Sequence, residues 1–142
     1  MTHYTEEMTR LKDSVLAMSS HAETAVARAM RALVERDDAL ARQVENDDNI
    51  LDQFEIEIDD TALHILTKAP LATDLRLTTV AMKISQNLER VGDEAVTIAR
   101  RAVDLGSEPQ LKPYVDLPRM TGMALEMLRE GLTAFVNREP DK

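Results

Sequence analysis

Apolar residues recur along this 142-residue chain in steps of three or four positions. The first such series is Tyr4, Met8, Leu11, Val15, Met18, Ala22, Ala25, Ala29 and Leu33. The second is Leu40, Val44, Leu51, Phe54, Ile58, Ala62 and Ile65, interrupted by Asp47. The third is Leu77, Ala81, Ile84, Leu88, Val91, Ala95, Ile98, Ala102 and Leu105. A mean spacing of about 3.5 residues predicts the apolar seams of three long helices in an all-α, antiparallel three-helix bundle.

Breaks in the pattern place the ends of these helices. The predicted helices span about residues 3–36, 38–68 and 71–105. The acids of Arg36–Asp38 can cap the start of the second helix. The second helix ends at Lys68–Pro70, because a residue before proline is pushed out of the helical region. The third ends at Gly106–Pro109, and at about 1.5 Å per residue each helix is roughly 45 Å long.

A fourth helix is predicted from about Leu117 onward, which divides the chain into three parts. These are a three-helix bundle over residues 1–106, a linker over 107–116, and the first helix of a truncated second repeat over 117–142. The fourth helix aligns weakly with the first, and a genuine repeat and a chance likeness both stay open. Its apolar residues, among them Leu125, Leu132 and Phe135, need burial on this bundle or on another chain. We therefore expect a homodimer, in which exchange of this helix is one arrangement.

Composition and charge exclude several classes of function. Aromatic residues make up 3% of the chain and tryptophan is absent, which favours helices over a β-sandwich. No apolar run is long enough to span a membrane. The chain has no cysteine, which excludes thiolate metal ligands and a cysteine nucleophile and fits a cytoplasmic protein. A formal net charge of −9 argues against direct nucleic-acid binding, which depends on clustered Lys and Arg.

Acidic pairs four residues apart are the main candidates for chemistry. An Asp or Glu followed by Asp at this spacing occurs at 48/52, 55/59 and 89/93. About two such pairs are expected by chance in so acidic a chain, and most acid pairs on long helices only solvate an outer face. Asp48/Asp52 and Glu89/Asp93 differ because each pair lies one position after its apolar seam. Like charges at this spacing destabilise a helix by a few tenths of a kcal/mol, so their convergence predicts a metal ion or a basic partner.

The chemistry of the candidate ligands limits which metal ions could bind. All candidate ligands are carboxylate oxygens, which suit magnesium, manganese, calcium and iron, with zinc also a candidate. No Glu-x-x-His motif occurs, which counts against a ferritin-like di-iron oxidase. His64 follows Asp60 by four positions, but a surface position is favoured over a ligand role. Arg76 and Arg90 are expected to pair with nearby acids rather than to bind an anion.

The segment ALHILTKAPLATDLRLTTVAMKISQNLERVGDEAVTIA resembles the PhoU family of phosphate-uptake regulators. The resemblance rests on its P-x-A-x-DLR and LER-[VI]-GD elements. The segment DNILDQFEIEID is similar to the family's second-helix motif, and the likeness covers about residues 8–139.

The resemblance implies two similar three-helix bundles whose Glu/Asp-x-x-x-Asp motifs bind clusters of iron or other metals in some members. In this chain the matching motif positions, and so the implied metal ligands, are Asp48, Asp52, Glu89 and Asp93. It also implies a cytoplasmic regulator, without a reaction of its own, that restrains a Pst-type phosphate transporter and a PhoR-type histidine kinase. The acidic motifs of a second bundle are absent up to Lys142, which puts any role that needs them in doubt. A metal-free acidic scaffold for basic partners and, far less favoured, a small metalloenzyme are the alternatives.

Overall fold

The computed structural model describes residues 3–68 and 72–105, together with eight residues between 122 and 133. Three α-helices make up the two long ranges: α1 (His3–Glu35), α2 (Asp38–Leu66) and α3 (Ala72–Leu105). Each helix end lies within two residues of its predicted position. The prediction of an all-α fold with three long helices is confirmed.

Each helix packs against the other two, and consecutive helices run in opposite directions. Glu7 near the start of α1 contacts His64 near the end of α2. Glu45 in the first half of α2 pairs with Arg100 near the end of α3. The bundle is therefore antiparallel from one helix to the next, and α1 and α3 are parallel.

A tight turn joins α1 to α2. Arg36 adopts a left-handed φ of 56°, which costs a residue with a Cβ about 1–2 kcal/mol. Asp37 then caps α2, because its side chain accepts a hydrogen bond from the Leu40 N–H at 3.1 Å. A capping bond of this kind contributes about 1 kcal/mol, which offsets much of the strain at Arg36. The prediction that the acids of this turn start the second helix is confirmed.

Two hydrophobic clusters fill the bundle, and they differ in the size of their side chains. The larger cluster contains large residues, including Leu11, Met18, Ile58, Leu77 and Leu88. The second cluster lies nearer the α1–α2 turn and is rich in alanine: Ala29, Ala32, Ala41, Ala95, Ala99 and Ala102. The seam positions predicted from the sequence supply most of both clusters. The change from one cluster to the other falls between Val44 and Leu51 on α2 and between Leu88 and Ala95 on α3.

The predicted fourth helix lies mostly outside the described residues. The eight residues described between 122 and 133 are all helical. Leu132 is buried in the large-residue cluster, and the Arg129 Nε donates a hydrogen bond to Glu23 Oε1 on α1 at 3.0 Å. This segment therefore packs on its own bundle, against α1. Phe135 and the linker over 107–116 lie outside the described residues, and the division of the chain at 117 stays a prediction. Neither the described helices nor this segment is both long and apolar enough to cross a bilayer.

Candidate functional site

Four acidic residues form one line along α2. Asp48, Asp52, Glu55 and Asp59 are spaced by four, three and four positions, which places them on a single face of the helix. The facing helix α3 carries Glu89 and Asp93. The antiparallel arrangement brings the two sets together, so that Asp48 lies near Asp93 and Glu55 near Glu89.

Electrostatic effects show that the four predicted ligands share one environment. The pKa of Asp48 is raised, first by burial and then by the negative charges of Asp52, Asp93 and Glu89. Arg100 acts in the opposite direction, as the smallest of these influences. Arg100 is itself paired with Glu45, with 3.7 Å between Nε and Oε2.

Glu55 belongs to this cluster although the sequence analysis left it out of the predicted ligands. Its side chain is hydrogen-bonded to Glu89, and this bond is the largest cause that raises the pKa of Glu89 to about 7. Burial contributes next, followed by the charges of Glu55, Asp52 and Asp93. Two carboxyl groups can hydrogen-bond to each other only when one of them carries a proton. The proximity of Glu55 therefore favours the protonated form of Glu89.

We call Asp48, Asp52, Glu55, Glu89 and Asp93 the acidic site. Among the described residues, no lysine, arginine or histidine forms an ion pair with any of these five carboxylates. Asp59 extends the line on α2, and its Oδ1 is buried without a hydrogen-bond partner. The acidic site is thus a concentration of negative charge that no ion pair within the described part of the protein neutralises.

Gly92 allows the two helices to approach closely beside the acidic site. A Cβ at this position would overlap Leu51 Cδ1, and it would lie 3.4 Å from Asp48 Oδ1. Leu51 is 2% exposed and belongs to the large-residue cluster, so it has little freedom to move away. The glycine of the LERVGD segment therefore has a structural role, because it sets the distance between the acids of α2 and α3.

A cavity of about 280 Å³ opens beside the acidic site. It lies between α1 and α2, with Gly92 of α3 at its base. Its polar lining consists of Ser20, His21, Thr24, Arg28, Asp47 and Asp48. Arg28 and Asp47 form an ion pair at its rim, with 3.5 Å between Nη1 and Oδ2. Because Asp48 lines this cavity, it is accessible to a small ion or a partner side chain.

The donor set fits a metal in its chemistry but is not arranged as a finished coordination shell. Carboxylate oxygens are the ligands that hard cations prefer. In the described ranges, however, no three His, Asp or Glu side chains stand around one point in a way that would hold an ion. Rotation of these side chains is required before they can coordinate a shared ion. The assignment of Asp48, Asp52, Glu89 and Asp93 as ligands stays a prediction.

His64 belongs to a separate group of charged residues near the C-terminal end of α2. Its Nδ1 lies 2.9 Å from Glu7 Oε2, and Lys68 donates a hydrogen bond to Glu7 Oε1. Glu7 is only 9% exposed, and its pKa is lowered chiefly by the Lys68 hydrogen bond and further by His64. His64 is exposed, as predicted, but it pairs with Glu7 rather than with Asp60.

Comparison with known proteins decides the family. The PhoU domain family matches residues 15–102, which is more than half of the chain. This chain belongs to the PhoU family. A PhoU homologue of Aquifex aeolicus is 33% identical over 94% of the chain, and one of Rhizobium meliloti is 37% identical over the whole chain. The crystal structure of PhoU from Pseudomonas aeruginosa matches with a TM-score of 0.89 at 35% identity, covering 94% of this chain and 65% of that one.

The names of these relatives describe a role in transport. The Aquifex and Rhizobium proteins are both named phosphate-specific transport system accessory protein PhoU homologue. Neither is named as an enzyme, which agrees with the expectation of a protein without a reaction of its own. The chain covers 61% of the length of each of these two relatives, so it corresponds to about three fifths of such a protein.

Proposed function

We propose that this chain is the metal-binding part of a cytoplasmic accessory protein that restrains a phosphate-specific transporter and its sensor kinase. The observation that carries the proposal is the convergence of five carboxylates between α2 and α3, none of which forms an ion pair with another described residue. Such an arrangement lowers the stability of the bundle unless a cation occupies it. The names of the relatives supply the transport role, and the acidic site supplies the place where a signal can act.

Asp48 and Asp52 on α2 and Glu89 and Asp93 on α3 are the proposed ligands, with Glu55 as a fifth carboxylate within reach. When bound, a metal ion supplies positive charge that neutralises the repulsion between these side chains. The ligands come from two helices, so a bound ion would also fix the position of α3 relative to α2. Metal occupancy would thereby alter the surface that the bundle presents to a partner.

Metal binding is tested by titrating the chelator-treated chain with Fe²⁺, Mn²⁺, Mg²⁺ and Zn²⁺ in a calorimeter. We expect Asp52→Asn and Asp93→Asn to weaken binding at least about tenfold, because affinity in such sites follows the number of charged ligands. Asp60→Asn on α2 and Asp104→Asn on α3 are matched controls, since both are exposed aspartates on the same helices. Equal losses in all four variants would show only a general effect of net charge and would contradict the assignment.

A metal-free role is the second candidate, and one observation favours it. The contact between Glu55 and Glu89 supports it, because protonation of Glu89, whose pKa is raised to about 7, would relieve part of the repulsion without a metal. In this role the acidic site would bind a basic surface of a partner directly. Partner binding that weakens with salt and is unaffected by chelators would support it over the metal-binding proposal.

The regulatory role is tested in cells that lack their own PhoU protein. We expect the complete gene to restrain phosphate uptake and kinase output when it carries wild-type acidic residues. Asp52→Asn with Asp93→Asn should release that restraint while leaving the amount of protein unchanged. Restraint that persists in this variant would separate the regulatory role from the acidic site.

A further inference from the structure

A row of basic residues follows the exposed face of α3, in a protein whose net charge is −9. Arg76, Lys83 and Arg90 are seven positions apart, and Arg101 continues the same face. We call these four residues the α3 basic stripe. At about 1.5 Å per residue, the stripe is roughly 37 Å long. Only one acid, Glu94, falls on the same line.

The residues of the α3 basic stripe form no ion pairs within the described part of the chain. Several other arginines are paired: Arg28 with Asp47, Arg31 with Glu35, Arg100 with Glu45 and Arg129 with Glu23. The prediction that Arg76 and Arg90 pair with nearby acids is therefore wrong for the described residues. The reason is positional, because Glu89, the acid next to Arg90, hydrogen-bonds to Glu55 of α2.

The spacing of the stripe suits a rod-shaped partner. Val80 and Asn87 lie between the first three basic residues, so that the positions 76, 80, 83, 87 and 90 alternate in steps of four and three. Val80 is half-buried against the large-residue cluster, and Asn87 is exposed. A step that averages 3.5 residues is the pattern on which a second helix packs, with charged residues beside the contact line selecting the partner. Opposite charges on the two helices would then fix their register.

A flat anionic surface fits this face less well than a helix does. Asp93 and Glu94 lie at the same level of α3, and a membrane laid across the stripe would approach both. The rest of the protein is strongly acidic, and its charges act over about 10 Å at ordinary ionic strength. A single helix is narrower than a membrane, so it would meet Glu94 on the line of the stripe but fewer of the acids on the neighbouring faces of the bundle.

We propose that the α3 basic stripe is a docking surface for an acidic helical segment of a partner protein. This inference names the chemistry of a partner and rests on the proposed accessory role, which requires one. Its test does not depend on metal binding, because none of the four stripe residues is a proposed metal ligand.

The test uses a synthetic helical peptide with glutamates repeated every seven positions on one face. A peptide of the same composition in scrambled order serves as the reference. Binding to the 142-residue chain is measured by fluorescence anisotropy in low salt and in about 0.5 M salt. Arg76→Glu with Arg90→Glu reverses two charges of the stripe. Arg10→Glu with Arg42→Glu reverses two other exposed, unpaired arginines and keeps the same net charge.

We expect the patterned peptide to bind more tightly than the scrambled one and to lose affinity in high salt. The stripe variant should bind about tenfold more weakly, whereas the control variant should change affinity by about twofold or less. Equal losses in both variants, or equal binding of both peptides, would overturn the proposal. Binding to phosphatidylserine vesicles that depends on Arg76 and Arg90 would also overturn it, in favour of a lipid surface. Failure of the patterned peptide to bind would overturn the docking proposal, and it would leave the accessory role standing if phosphate uptake in cells still responds to the protein.

Discussion

Glu7 and Glu89 are two partly buried glutamates in the same bundle, and their surroundings are opposite. Glu7 lies between α1 and α2 beside Lys68 and His64, and its pKa is lowered. Glu89 lies between α3 and α2 beside Glu55, and its pKa is raised to about 7. The first carboxylate is stabilised by cations that the protein provides. The second carboxylate is placed against other acids.

The difference separates a group of residues near one end of the bundle that stabilises the fold from a group near its middle that is suited to binding. Glu7, His64 and Lys68, which we call the Glu7 group, link the first turns of α1 to the C-terminal end of α2 through ordinary ion pairs. The acidic site opposes the packing of α2 against α3, and a fold that needed only stability would not retain it. Groups of residues that lower the stability of a fold in this way are commonly functional.

The largest expected effect comes from the close contact beside the acidic site. Gly92→Ala should destabilise the bundle by about 1–2 kcal/mol, because the new methyl group overlaps Leu51 in a packed core. The free energy of unfolding from urea denaturation measures this change. The same substitution should move the carboxylates of α2 and α3 in the acidic site apart and should weaken metal binding.

Gly122→Ala is the matched control for this substitution. A Cβ at Gly122 meets nothing within 4 Å, and the residue is helical. Alanine there should raise stability by up to about 1 kcal/mol through its higher helix propensity. If both substitutions destabilised the protein by a similar amount, the proposed role of Gly92 in the close approach of α2 and α3 would be contradicted.

Replacing Glu89 should stabilise the protein, whereas most single substitutions destabilise one. Glu89→Gln, measured in chelator at pH 8, should stabilise the chain by up to about 1 kcal/mol, an amount reduced by solvent screening. The cause is the loss of a negative charge that Glu55, Asp52 and Asp93 oppose. A clear loss of stability would show that the ionised Glu89 side chain has a compensating partner.

The two glutamates also predict opposite responses to pH. The folded pKa of Glu89 lies above its unfolded value, so the folded state holds more protons between about pH 4.5 and 7. Stability should therefore fall as the pH rises through that window. The folded pKa of Glu7 lies below 4.5, so its contribution is present above that value and is lost as the pH falls through the folded pKa. Thermal denaturation of the metal-free protein from pH 3 to 8 measures both slopes, and Glu89→Gln should flatten only the upper one.

The smallest expected effect is at the Glu7 group. Glu7→Gln should lower stability at neutral pH, because Lys68 and His64 lose their anionic partner. Both partners are exposed, so solvent screening limits the loss. The difference from the wild type should shrink below about pH 4.5, where Glu7 itself becomes protonated. A difference that stays constant down to pH 3 would mean that Glu7 acts through packing rather than charge.

The sequence predicted the features that depend on one helix at a time. Apolar periodicity located α1, α2 and α3, and the position of Asp48/Asp52 and Glu89/Asp93 beside the seams predicted their convergence. Glu55 was missed because its contact with Glu89 depends on the register between two helices. A search for acids at i+7 as well as i+4 would have placed Glu55 on the same face as Asp48.

Two further points depended on three-dimensional packing. Among the described residues, the pairing expected for Arg76 and Arg90 was wrong, since neither forms an ion pair even though Glu94 lies one turn from Arg90. The role of Gly92 could not be derived from the sequence, since it depends on the position of Leu51 on another helix. The fourth helix remains a prediction beyond its eight described residues, of which Leu132 is buried against its own bundle.

The most direct test of the central claim is a metal titration of the chelator-treated chain and of Asp93→Asn, with Asp104→Asn as the control. We predict saturable binding by the wild type and by Asp104→Asn, and binding at least about tenfold weaker for Asp93→Asn. The bound metal should also raise the thermal stability of the wild type, because it binds only the folded acidic site. Absence of binding by the wild type, or equal binding by all three proteins, would contradict a metal site at these carboxylates.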